Sequence, residues 1–143
     1  MAFEDAQLET AQALEPDRKY FTVEEANRAL AYVRPVVDDI TTVYQRIVDL
    51  RRGIEQSERA DELAAQEREY ERSMDRLSNL VDELQAVGVE LKDFEKGLVD
   101  FPAVHENREV LLCWHRGEPT IGHWHEVDAG FAGRQSVELL YQH

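Results

Sequence analysis

The chain of 143 residues predicts an α+β fold, a long antiparallel helical hairpin followed by a small three-stranded antiparallel β-meander. Three observations predict it. Two long segments carry apolar residues at alternating steps of three and four, the period of packed helices. A polar stretch near residues 51–60 separates them. The last third is punctuated by Gly97, Gly117, Gly122, Gly130 and Gly133, and its apolar runs are short, as strands between turns are.

Residues 1–19 are acidic and rich in Ala and Gln, without a strong period, and read as a flexible N-terminal arm. Residues 20–143 read as one α+β domain, with the hairpin over 20–88 and the meander plus a C-terminal loop over 89–143. The first helix has a marked start. Thr22-Val23-Glu24-Glu25 fits a capping box, and Phe21 precedes it as a hydrophobic staple would. Val23, Ala26, Leu30, Val33, Val37, Ile40, Tyr44 and Ile47 then form the seam. Pro35 lies between seam positions, so a kink or division of the helix is expected near Arg34. In the second helix the seam is Leu63, Tyr70, Met74, Leu77, Val81 and Leu84, and Gly88 supplies a left-handed C-terminal cap. A seam of this kind is ordinarily core. Whether it closes within one chain or between two stays open at this point.

Strands are expected at Leu98–Val104, Arg108–Arg116 and Ile121–Val127, with turns at His105-Glu106-Asn107 and Gly117-Glu118-Pro119-Thr120. Three strands need a cover, and a helix end is the obvious one.

Composition restricts the function classes. A formal net charge of -14 argues against a nucleic-acid binder, because phosphate contacts need a basic face, and against anionic membranes. No apolar run is long enough for a membrane span, and the N-terminus lacks the pattern of a signal peptide. Cys113 has no second cysteine to pair with, so a cytoplasmic location is the default.

Chemistry-bearing residues gather in the last third. His123-Trp124-His125-Glu126-Val127-Asp128 places two imidazoles on one face of a strand, about 7 Å apart. His123, His125, Asp128 and Glu126 are candidate ligands of a divalent transition metal, with Cys113 and His115 on the neighbouring strand. Register decides the matter. An even turn pairs Trp114 with His123 and Leu112 with His125, which puts Cys113 and His115 on the other face. An odd turn gathers all four groups on one face. Gly-Glu-Pro-Thr suits a four-residue loop, which predicts the even register. His125 is then a hydrogen-bonded, partly buried residue that fixes the following loop, while His105 and His143 are solvated.

The segment Asp128 to Gln135 is a second candidate. Gly130 and Gly133 permit unusual backbone angles, and Arg134 offers a guanidinium fork for a carboxylate or phosphate. The plainer alternative pairs Arg134 with Asp128 or Asp100. In the third candidate, Lys92 to Pro102, Asp93 and Asp100 could add oxygen ligands or cap turns. Cys113 lies inside an apolar strand and is a poor nucleophile.

Several of these motifs occur together in one family. FTVEEAN at 21–27, GVELKD at 88–93, GLVDFP at 97–102, LCW at 112–114, GE at 117–118 and WHEVDAGFAGRQ at 124–135 resemble a bacterial family named domain of unknown function 2203. The resemblance spans residues 20–137. It implies a small bacterial cytoplasmic protein and carries no established activity. The family pattern includes Trp124 and His125, Gly130 to Arg134, and Asp100 to Pro102. His123 and His115 fall outside it, which favours His125 as a ligand.

Two functions are expected from these readings. The first is a non-enzymatic interaction protein. Its hairpin would mediate self-association, a dimer above all, or hold a protein partner, with Arg134, Asp100, Trp124, Gly130 and Gly133 as a ligand patch on the β tip. The alternative is a metal- or anion-dependent enzyme, a hydrolase for example, built around His125, Asp128 and Arg134.

Overall fold

The computed structural model describes residues 14–141. The first thirteen residues of the expected arm, and His143, lie outside the described residues. Helix α1 spans Val23–Gln56 and helix α2 spans Ala60–Ala86. A five-stranded antiparallel sheet follows, with β1 Glu90–Asp93, β2 Leu98–His105, β3 Arg108–His115, β4 His123–Glu126 and β5 Gln135–Ser136 in that spatial order.

The start of α1 follows from its sequence. The Thr22 hydroxyl oxygen accepts from the Glu25 amide at 3.1 Å, and the Glu25 carboxylate accepts from the Thr22 amide at 2.9 Å. Two amides that a helix start leaves orphaned are thereby satisfied. Thr22→Ala should lower the unfolding free energy by about 1 kcal/mol, read from urea midpoints at an unchanged slope. The end of α2 is equally local. Gly88 takes φ +88°, its amide donates to Gln85, and the Val89 amide donates back to Leu84. Those two bonds are the Schellman closure that a left-handed glycine permits.

Helix α1 is one element of 34 residues with Pro35 inside it, so the expected division near Arg34 does not occur and a kink is not confirmed. Proline costs one backbone bond, and a helix packed along its length can carry that loss. Val33, Val36 and Val37 on either side of Pro35 are buried. Pairs of Asp39 with Arg76 and of Arg46 with Glu69 run in opposite sequence directions and fix α1 and α2 antiparallel.

The seam of α1 closes within the chain: Ala26, Leu30, Val33, Val37, Ile40 and Ile47 are all buried. The stripe is wider than the expected 3.5 period, because Val36, Val43 and Leu50 are buried too. In α2 the buried face is Ser73, Leu77, Leu80 and Leu84. Met74 was expected in the seam but is 42% exposed, because the face is rotated by one position toward Ser73 and Leu80.

The sheet has five strands where three were expected. β1 is short, polar and bulged between Leu91 and Asp93, and β5 has two residues. Neither offers enough alternation to be recognised as a strand. The β2–β3 turn is tight, with Glu106 at φ 50° and Asn107 at φ 64°, as a two-residue hairpin with the right twist needs.

Alternation along the strands makes two faces. Val99, Phe101, Val110, Leu112, Trp114 and Trp124 belong to the core cluster shared with Leu30, Val37 and Leu84 of the helices. Asp100, Cys113 and His125 sit on the opposite face. Ahead of α1, the Phe21 amide donates to Pro102 at 2.7 Å, and Phe21 packs edge-on against Phe101. No helix among the described residues is long and apolar enough to cross a membrane.

Candidate metal centre

The register of β3 against β4 pairs Leu111 with His125, Leu112 with Trp124 and Cys113 with His123. This overturns the even register expected from a four-residue turn. The connection is longer because it is anchored elsewhere. The Glu118 carboxylate accepts from the His115 amide, the Glu118 carbonyl accepts from Trp114 Nε1, and the Ile121 amide donates to Asn27 of α1. These bonds hold Arg116–Gly122 as an open loop against the helix. The parity is therefore odd, and Cys113 shares a face with His125.

On that face β2 contributes Asp100, β3 contributes Cys113 and β4 contributes His125. They are 3%, 2% and 3% exposed. One ligand atom from each, a carboxylate oxygen, a thiol sulfur and an imidazole nitrogen, lies within 4.8 Å of the other two. Tetrahedral zinc with bonds of about 2.0–2.3 Å separates its ligands by about 3.3–3.8 Å, so small side-chain rotations would close the set.

Hydrogen bonding specifies the protonation. His125 Nδ1 lies 2.7 Å from the main-chain carbonyl of Glu126, and Nε2 lies 3.1 Å from Asp100 Oδ1. A carbonyl only accepts, so Nδ1 carries a hydrogen. The second contact then needs one more proton, shared between imidazole and carboxylate. Burial pushes the Asp100 carboxyl above its ordinary range, and the neighbouring His125 pulls it partly back. Burial pushes the Cys113 thiol up to about 12, and the Asp100 charge adds to the effect. A dication bound to Nε2, Oδ1 and Sγ would replace both protons. The Nδ1–H to carbonyl bond is the outer-shell contact that usually orients a ligating histidine.

A cavity of about 220 Å³ opens above the three residues. Leu98, Leu111, Val127 and Phe131 form its apolar wall, while Lys92 and Gly130 complete the lining. Gly130 has φ +66°, an angle that brings the backbone round over the face at little cost only in glycine.

The other candidates lie elsewhere. The Glu126 carboxylate binds the Arg108 guanidinium through Nε at 2.8 Å and Nη2 at 2.6 Å, a pairing that holds its carboxyl pKa below the ordinary range. Asp128 is exposed on the loop after β4. His123 lies cross-strand from Cys113 on the same face, but its Nδ1 is 3.6 Å from Glu118 and it is not one of the three converging ligand groups. Trp124 is in the core and donates to the Ser136 carbonyl. Gly133 packs so closely on Ala129 that a Cβ there would sit 2.7 Å from the Ala129 Cβ. Arg134 pairs with both oxygens of Glu118 at 2.7 and 2.8 Å, not with Asp128 or Asp100, and lies over the Phe131 ring. Asp93 caps the β1–β2 turn by accepting from Glu95 and Lys96. His105, expected in solvent, packs its half-buried ring on Trp124. Sequence reasoning missed Glu118 as the partner of Arg134 and Lys92 at the cavity; the GE motif carried no sign of which arginine it meets.

Residues 19–137 match the model of a family described as uncharacterized conserved protein (DUF2203). No curated protein and no solved structure matches the chain.

Proposed function

The chain belongs to the DUF2203 family of uncharacterized conserved proteins, and for it we propose a divalent transition-metal centre formed by His125, Asp100 and Cys113. One observation carries the proposal. Three donors of types that suit zinc, each more than nine-tenths buried, converge within 4.8 Å under a cavity. Thiolate and carboxylate together balance a dication, which offsets the cost of burying each charge. Three protein ligands leave a fourth position facing the cavity. Such a position can hold a water made acidic by the metal, so hydrolytic chemistry is the reaction class the centre suits. The unpaired cysteine as ligand fits a reducing compartment such as the cytoplasm.

An interaction role for the hairpin rests on less. Its α1 seam is consumed within the chain, and scattered side chains such as Tyr32 and Met74 are the large apolar groups it leaves exposed. The centre is tested by elemental analysis of untagged protein purified without chelator, followed by cobalt replacement. Near-stoichiometric metal is expected in the wild type and loss of most of it in His125→Ala. Cobalt protein should show a thiolate-to-metal charge-transfer band that disappears in Cys113→Ser. Protein that takes up no ion from any of zinc, cobalt, nickel or manganese would sink the proposal.

A further inference from the structure

We infer that the cavity above this centre takes a small carboxylic acid with an apolar body, its carboxylate held between the open metal position and Lys92. The inference rests on the metal-centre reading of the same site.

Three observations select this ligand class. The first is size. About 220 Å³ is roughly seven water volumes, which suits a short chain or a single ring and excludes a nucleotide. The second is the wall. Leu98, Leu111, Val127 and Phe131 supply apolar surface, and Phe131 and Val127 at the mouth are 47% and 37% exposed. A ligand body laid there removes apolar surface from water on both sides. The third is charge. Lys92 is the cationic residue of the lining, on the same cavity as Asp100, Cys113 and His125.

Lys92 is also available. Its ammonium contacts Glu90 at 3.0 Å, but the other Glu90 oxygen is bound by Arg18. Moving Lys92 to a ligand leaves Glu90 paired. The remaining ionisable lining groups, Asp100, Cys113 and His125, are those the metal would occupy. A carboxylate thus meets two positive centres and an apolar wall. An amine of the same length meets repulsion from both.

The probes are hexanoate, hexylamine and hexanol, titrated calorimetrically into zinc-loaded and metal-free protein. Lys92→Met and Phe131→Ser serve as variants, with zinc content measured on every sample. Zinc-loaded wild type should bind hexanoate, and Lys92→Met should weaken it by about tenfold at unchanged zinc content. Phe131→Ser should also weaken it, and hexylamine should give no binding. Zinc-loaded protein that ignores hexanoate, or binds it equally in Lys92→Met, overturns this inference and leaves the metal centre standing. Protein that holds no zinc overturns the metal centre. This inference, which places the carboxylate at the open metal position, then falls with it.

Discussion

Asp100→Ala in metal-free protein should lower the unfolding free energy by about 3–5 kcal/mol, the cost of removing one member of a buried pair. The size follows from the surroundings. Asp100 and His125 are each 3% exposed, and Nε2 of His125 has Asp100 as its hydrogen-bond partner at 3.1 Å. Alanine strands that nitrogen away from water. It also leaves a gap beside Cys113, whose thiol contacts the same carboxylate. Asp100→Asn should cost much less, about 1 kcal/mol. With Nδ1–H retained on the Glu126 carbonyl, Nε2 is an acceptor, and an asparagine amide can donate to it. The difference between the two variants reports the hydrogen bond to Nε2 and the volume beside it. Urea unfolding at an unchanged slope measures it. Equal losses in both variants would show that a hydrogen bond to Nε2 is not what Asp100 contributes to stability.

The sequence made the fold legible where local chemistry repeats. The capping box at Thr22, the seam of α1, the Gly88 cap and the β2–β3 hairpin each rest on residues within a turn or two of one another. It was less informative where tertiary contacts override local signals. Pro35 stays inside a helix, and Met74 is turned out of the seam that its spacing assigned it. The site shows the same division. His125 and Asp100 were legible as residue types, but their meeting depends on β2 and β4 flanking β3 with one parity. That parity was set by Glu118 and Asn27, which hold the β3–β4 loop open through bonds to His115 and Ile121. The Asn27 contact spans 94 residues, and no turn rule could supply it. A one-residue shift of β4 against β3 moves His125 to the helix-facing side, away from Asp100 and Cys113, and dissolves the cluster.

Cys113 provides the second large effect. With its thiol at about 12, roughly one molecule in ten thousand carries the thiolate at pH 8, against about one in four for an ordinary exposed cysteine. Alkylation needs the thiolate and a path to it, and Cys113 is 2% exposed. Iodoacetamide should therefore modify native, metal-free protein at least about 1000-fold more slowly than urea-unfolded protein. The same shift has a signed consequence for stability. The folded thiol keeps its proton to higher pH than the unfolded one, so above about pH 8.5 the unfolded chain binds fewer protons. The contribution of this group is complete below that pH and is lost as pH climbs toward 12. Asp100→Asn removes the carboxylate charge beside the sulfur, so it should raise the native alkylation rate and flatten the alkaline decline. A native rate near the unfolded one would mean that Cys113 is not held buried beside Asp100 and His125 as this geometry has it.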